Sequence, residues 1–326
     1  MARLAGVSAI TVSRALRNPE MVSPVLRRKI DSAVATLGYV PNMAASRLAS
    51  ARTHSIGVIV PTLYNIIFAD YLKALDEIFL PVGFHVVVVN SRYSIEEEEA
   101  AIRTLLGQRV EAIIIVGVNH SKMSRRMLIQ SRIPVVETFQ LSPDPIHINI
   151  GLDQTQAGYD ATSYLIDKGY KNIGFLFGHR DVRAMERLKG YEQAMSAAGF
   201  SANAKVISVP AASSVALGAN VMRKLISESQ LPDAVFCIDD NLALGAMQEC
   251  RRVGLSVPNS IAIMGFHDLE FAEYSSPSLS SVQTQRHEMG RLAAQHVLQM
   301  LNAKKVAEQK IILLDHKIIE RQSTGH

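Results

Sequence analysis

The stretch Arg3-Leu4-Ala5-Gly6-Val7-Ser8-Ala9-Ile10-Thr11-Val12-Ser13-Arg14-Ala15-Leu16 constrains the fold more than any other in the chain. It reads as a helix, a tight turn at Gly6-Val7 and a second short helix that Ser8 can cap. On the second helix Val12, Ala15 and Leu16 share one face at helical spacing. Ser8, Ala9, Ile10, Thr11, Ser13, Arg14 and Arg17 are left to point elsewhere. Small, polar and basic residues outside an apolar inner face suit a recognition helix in a major groove. The pattern alone fits equally well a small amphipathic hairpin with no ligand.

Charge separates the two readings. Residues 1–52 hold eight basic and two acidic residues, a net of +6, while the whole chain is +4. Basicity confined to one short segment is the footprint of phosphate contacts. After the hairpin, Val22-Ser23-Pro24 opens another helix, with Ser23 as cap and Pro24 in its first turn. Val25, Ile30, Val34 and Leu37 are its candidate core residues, and Gly38 ends it. The segment from Tyr39 to Ser50 is rich in small residues and too short to be a stable helix alone. Either it is a plain linker, or it folds against a partner chain and DNA, with Leu48 as an apolar wedge between base steps.

From Thr53 onward, strand-like runs alternate with helical stretches. The strands expected are Ile56–Val60, His85–Asn90, Ala112–Val116, Pro134–Thr138, His147–Gly151, Ile173–Phe177, Ala234–Ile238 and Ile261–Phe266. Helices are expected at Phe68–Leu80, Glu96–Gln108, Gln156–Lys168, Met185–Ala198 and Leu242–Val253. Val86-Val87-Val88-Val89 and Ile113-Ile114-Ile115-Val116 are apolar on both faces, as central strands of a covered parallel sheet require. So many units exceed one sheet. Two doubly wound α/β lobes, with a ligand between them at the carboxyl ends of the strands, account for them.

Catalytic and cofactor motifs are missing. No Gly-x-Gly-x-x-Gly follows a strand, and there is no phosphate loop or Gly-x-Ser-x-Gly elbow. The histidines form no His-x-x-x-His pair, and the two cysteines, Cys237 and Cys250, form no Cys-x-x-Cys. The expectation is a chain that is not an enzyme and takes no metal or cofactor. Buried thiols, no signal peptide and no bilayer-length apolar run point to a cytoplasmic protein away from membranes.

Polar residues at strand ends are the candidate ligand contacts. Asp239-Asp240 follows Ala234–Ile238, where one aspartate suits a helix cap and the other can face a ligand. His267 follows Ile261–Phe266. Arg187 reads as either an exposed helix residue or a cation for an anionic ligand.

Residues 3–52 resemble the DNA-binding head and hinge of the lactose-repressor family of bacterial transcription regulators. The strings Leu-Ala-Gly-Val-Ser, Thr-Val-Ser-Arg, Leu-Gly-Tyr-Val-Pro-Asn and Arg-Leu-Ala stand in the family's order and spacing. The resemblance continues to about Arg321. Within the family the chain looks most like repressors of the gluconate or idonate type, on Arg17-Asn18-Pro19-Glu20, Pro61-Thr62-Leu63-Tyr64-Asn65, Ile133-Pro134-Val135-Val136-Glu137, Gly190-Tyr191-Glu192-Gln193-Ala194-Met195 and Ala262-Ile263-Met264-Gly265-Phe266-His267.

The resemblance implies a helix-turn-helix domain over 1–40, a hinge over 41–53, and a core like periplasmic sugar-binding proteins. The first core lobe would hold 54–153 plus 284–312, and the second 154–281 plus 313–326. Crossings are expected near Asp153-Gln154, Ser281-Val282-Gln283 and Leu313-Leu314-Asp315. It further implies a homodimeric repressor on operator DNA, contacted by Ser8, Ala9, Ile10, Thr11, Ser13, Arg14, Asn42, Arg47 and Leu48. A sugar acid would lie between the lobes against Tyr64, Asn65, Phe68, His120, Arg187, Asp239, His267 and Arg286. In that family the first helix begins several residues before the position of Met1, which leaves open an upstream start or a weakened head. The alternatives are a solute receptor without a DNA-binding role, which the basic head argues against, and a regulator responding to a neutral sugar.

Overall fold

The computed structural model describes residues 1–17, 19–39, 52–178, 181–228, 231–303 and 308–325. Two compact units divide between Thr53 and His54. Asn42, Arg47 and Leu48 lie outside the described residues.

The first unit contains α1 (Ala2–Ala5), α2 (Ala9–Arg17) and α3 (Pro24–Leu37). Gly6 closes α1 at φ 66°, a conformation that a side chain would strain. The Ser8 hydroxyl accepts the Thr11 N–H at 3.1 Å and so caps α2. Ser23 occupies the cap position of α3, but its hydroxyl makes no capping bond. Ala5, Val12, Ala15, Ile30 and Ala33 form the core. Val25, Leu37 and Leu16, expected inside, are exposed. Val25 lies five residues from Ile30 and therefore on another side of the helix. The alanines that replace these residues in the core leave little room for larger side chains.

The second unit is built on two six-stranded sheets. Its strands are β1 (Ser55–Val60), β2 (His85–Asn90), β3 (Ala112–Val116), β4 (Val135–Gln140), β5 (Ile148–Leu152), β6 (Ile173–Phe177), β7 (Lys205–Ser208), β8 (Ala234–Cys237), β9 (Ala262–His267), β10 (Ser280–Thr284), β11 (Lys310–Leu313) and β12 (His316–Ile319). The first sheet runs β11-β5-β4-β3-β1-β2 and is parallel throughout. The second runs β12-β10-β9-β8-β6-β7, with only β12 antiparallel to its neighbour.

The helices are α4 (Ala69–Phe79), α5 (Ile95–Gly107), α6 (Lys122–Ser131), α7 (Gln154–Asp167), α8 (Val182–Ala197), α9 (Val215–Ser227), α10 (Asp240–Arg252), α11 (Glu270–Tyr274) and α12 (Arg286–Ala303). Each sheet is a doubly wound layer with its own apolar core. In the second lobe two helix pairs touch through glycine. A Cβ on Gly190 of α8 would lie 2.0 Å from the Thr155 carbonyl of α7, and one on Gly245 of α10 would lie 2.0 Å from the Val215 carbonyl of α9.

The chain passes from the first sheet to α7 at Asp153. It returns from β10 to α12, which packs on α4, and β11 then joins the first sheet and β12 the second. The return was expected near Ser281-Val282-Gln283. Those residues belong to β10, and the passage follows Thr284. The serines of β10 have partnered hydroxyls: Ser280 Oγ donates to the Arg321 carbonyl at 3.0 Å and Ser281 Oγ to Asp240 Oδ1 at 2.6 Å.

Candidate functional site

The carboxyl ends of both sheets face a cleft between the lobes of the second unit. A cavity of about 60 Å³ opens there. Asn65, Ile67, Tyr93 and Phe139 line it from the first lobe, and Asp181, Arg183, Arg187, Asp239 and His267 from the second. An outer cavity of about 190 Å³ shares Tyr93, Asp181 and Arg183 with it.

The start of α8 supplies both cations. Asp181 caps the helix, with Oδ1 accepting the Ala184 N–H at 2.8 Å and Oδ2 accepting from Arg183 Nη2 at 2.7 Å. Burial works to raise the Asp181 carboxyl, but Arg183 and the Ala184 N–H outweigh it and hold it below the ordinary range. Arg187, one turn on from Arg183, is 4% exposed. Its Nε donates to Gln154 Oε1 at 2.7 Å and its Nη1 to the Ile238 carbonyl at 2.8 Å. Its guanidinium lies 3.7 Å over the Phe266 ring. Burial, reinforced by Arg183, makes the Arg187 cation less favourable than in water. An anion beside it would reverse that.

The remaining polar groups suit hydroxyls. Asp239 caps α10 through Oδ1, which accepts the Leu242 N–H at 3.0 Å, while Oδ2 accepts from Asn65 Nδ2 across the cleft at 3.5 Å. His267 Nδ1 is 3.1 Å from Thr284 Oγ1. Burial and the cations Arg187, Arg286 and Arg183 keep its imidazole far below the ordinary histidine value, hence neutral. Gln154 joins the lobes, donating to the Phe139 carbonyl at 2.7 Å while it accepts from Arg187. Gln140 Nε2 donates across to Glu186 Oε1 at 2.7 Å.

The structure thus brings together Asn65, Arg187, Asp239 and His267. It places four other expected contacts elsewhere. Tyr64 is 93% exposed and lines neither cavity. Phe68 is buried in the first lobe's core, its ring 5.3 Å from that of Phe139. His120 is buried between Glu98 and Glu137. Arg286 stands behind His267, bonded to its carbonyl and, through Nη2, to Asp70 Oδ2 at 3.0 Å, and it lines a smaller cavity of about 10 Å³. Tyr93, Asp181 and Gln154 were not anticipated, and Arg183 was read only as part of the arginine-rich stretch around Arg187. Asp181 carried a readable signal, an aspartate before a run of helix formers. That cap starts α8 three residues before Met185 and brings Arg183 onto its first turn.

Asp240, next to the cleft, is fully buried. It accepts from Ser281 Oγ at 2.6 Å and from the Leu269 N–H at 2.7 Å. Burial pushes its carboxyl from 3.8 to about 7. The folded chain therefore holds this proton more tightly than the unfolded one. Stability contributed here is greatest below about pH 4 and falls as pH rises to about 7. Asp240→Asn removes the titration, so its denaturation midpoint relative to wild type should climb between pH 5 and 8. A difference that stays constant across that range would contradict this.

In the first unit Ser8, Ala9, Ile10 and Arg14 are exposed on α2, and Thr11 and Ser13 are half-buried. Ile10 is 71% exposed, which is unusual for an isoleucine with only water to meet. Arg3, Arg28 and Lys29 line a groove between α1 and α3. Such a surface suits phosphates flanking an inserted helix.

Among the described residues no helix is long and apolar enough to cross a membrane. The family model for bacterial regulatory proteins of the lacI family matches residues 1–42, and that for a periplasmic binding protein-like domain matches 162–324. The chain is 36% identical over 324 residues to the HTH-type transcriptional regulator GntR of Pseudomonas aeruginosa, covering 99% of this chain and 94% of that one. It is 33% identical over 302 residues to the HTH-type transcriptional regulator IdnR of Escherichia coli K12, covering 91% and 90%. The crystal structure of a LacI-family transcriptional regulator from Silicibacter pomeroyi superposes with a TM-score of 0.91 at 29% identity, covering 100% of this chain and 98% of that one. These relatives are transcriptional regulators and not enzymes. The likeness runs unbroken from the exposed face of α2 through the cleft, and on that ground the protein belongs to the LacI family of DNA-binding transcriptional regulators.

Proposed function

We propose that this regulator is a cytoplasmic homodimeric repressor whose cleft takes a sugar acid of the gluconate or idonate type. The observation that carries this reading is the pair Arg183 and Arg187 in the cleft beside Asp239, Asn65 and a neutral His267. A sugar acid has one carboxylate and a row of hydroxyls. A guanidinium fork meets a carboxylate in two parallel hydrogen bonds. Arg187 spends Nε and Nη1 on the protein, and its Nη2 has no protein partner among the described residues. Asp239, Asn65 and His267 supply acceptors and donors for hydroxyls, and Ile67 and Phe139 cover the carbon chain.

Ligand that joins the lobes shifts the balance between open and closed cores. That balance then sets whether the hinge, residues 41–53, orders on DNA. In this reading Ala9 and Ile10 meet base edges, Arg14 and Arg47 meet phosphates, Asn42 belongs to the hinge contact, and Leu48 wedges between base steps. The partner is a second copy of the chain, and exposed Leu80, Val82 and Val88 on the first lobe offer apolar surface for it.

The test pairs operator selection from random duplexes, read by gel shift, with calorimetry against gluconate, idonate, glucose and adenine. The acids should bind and change the shift, and the neutral sugar and the purine should do neither. Tight binding of glucose with indifference to the acids would overturn the effector assignment.

A further inference from the structure

The loop after β3 carries His120 away from both cavities. Its side chain is 1% exposed, held between Glu98 of α5 and Glu137 of β4, which is wholly buried. Nδ1 is 2.8 Å from Glu98 Oε1, and Nε2 is 3.3 Å from Glu137 Oε1. The other oxygen of Glu137 accepts the Ile146 N–H at 2.6 Å. Two further ionisable groups stand close by. His147 lies near Glu137 and accepts the Val135 N–H through Nδ1 at 3.1 Å. Glu99 accepts from Ser121 Oγ at 3.2 Å and pairs with Arg103 at 2.7 Å. The residues just before His120, Gly117 to Asn119, form a wall of the outer cleft cavity together with Ser94, Glu98 and Gln140.

A neutral imidazole has one donor and one acceptor. It cannot donate to two carboxylates at once. Two buried carboxylates with no cation between them would repel each other. We propose that His120 is a positioning residue, an imidazolium pinned between Glu98 and Glu137 that holds the Gly117–Asn119 wall of the effector cleft. The proposal rests on the cleft being the effector site. Both ring nitrogens face glutamates, so the residue acts through the wall and not by touching ligand. Burial opposes the charge, but the close contact with Glu137 and the hydrogen bond to Glu98, with the charges of both, outweigh it and hold the imidazole at about 9. Below about pH 9 the pin is charged and closed, and above that it opens.

Three measurements on the full chain test this: an NMR titration of the His120 ring, assigned through its backbone; hydrogen exchange of residues 117–121 at pH 7 in wild type, Glu98→Gln and His120→Gln; and gluconate calorimetry from pH 6.5 to 10. The ring should begin to titrate only near pH 9. Exchange in 117–121 should speed up in both variants. Gluconate should bind His120→Gln roughly 2- to 30-fold more weakly at pH 7. Wild-type affinity should fall above about pH 9, and the variant's should lose that fall. If His120→Gln does not fold, the ring titration and Glu98→Gln decide. A ring that titrates near the ordinary histidine value, or a loop whose exchange no variant alters, overturns the pin. If gluconate fails to bind wild type, the effector assignment fails while the ring and loop still decide the pin.

Discussion

Arg187→Met should cost the cleft about 2–5 kcal/mol of sugar-acid binding, the range for losing one partner of a buried charge pair. That is roughly a 30- to 5,000-fold rise in Kd. Methionine fills similar space and keeps contact with the Phe266 ring. It cannot donate to Gln154 Oε1 or the Ile238 carbonyl, where Arg187 now gives 2.7 and 2.8 Å hydrogen bonds. Two buried acceptors therefore lose a donor, and the core should lose stability too. Arg187→Lys should not restore binding, because a point charge neither lies flat over a ring nor forks to a carboxylate. Such a variant should still bind operator and ignore the acid. Calorimetry beside gel shift checks this, and a Kd for gluconate equal to wild type would remove Arg187 from the site.

Gly190→Ala and Gly245→Ala should each destabilise the second lobe by about 1–3 kcal/mol or more, the usual cost of overpacking. The atom each new Cβ meets is a backbone carbonyl at 2.0 Å, so no rotamer change gives relief. The helices must separate, and α7 with α8 would open along its length. The shift should appear as a drop in Tm of several degrees, at about 2–4 °C per kcal/mol for a domain of this size. Alanine at Gly254, where no neighbour lies within 4 Å but φ is +79°, isolates backbone strain from crowding. A Gly190→Ala melt that overlays wild type would mean that α7 and α8 slide apart freely.

Much of this was legible in the residue order, for a physical reason. Runs such as Ile113–Val116 are apolar on both faces because both faces are covered, and few other structures call for that pattern. The strands β7, β11 and β12 lie at sheet edges, half-wet and short, and their sequences carry no such mark, whereas β2, whose Val86–Val89 run was expected in a central strand, is itself a partly exposed edge strand. The cleft shows the same division. Asp239 was readable because a capping aspartate at a strand end has few places to be. Phe68 and Arg286 were expected at the ligand, and the structure turns Phe68 into the core and Arg286 toward Asp70. Which way a side chain turns is decided by packing among residues far apart in sequence. Arg286 was expected to hold the acid; in the structure its guanidinium is bonded to the His267 carbonyl and to Asp70.

The way the chain weaves between the lobes also governs the order in which the protein can be made. β1 to β5 are complete once Leu152 leaves the ribosome, but their sheet lacks β11 and the cover of α12 until Leu313 emerges. At about 5–20 residues per second, that interval is on the order of 10–30 seconds. Throughout it, the face of the first lobe that Met289, Ala293, Ala294 and Val297 will cover stays bare. The second lobe finishes later still, with β12. The earlier-born lobe must therefore wait, open and sticky, for the last eighth of the polypeptide, and a nascent chain halted before Leu313 leaves both sheets short of a strand.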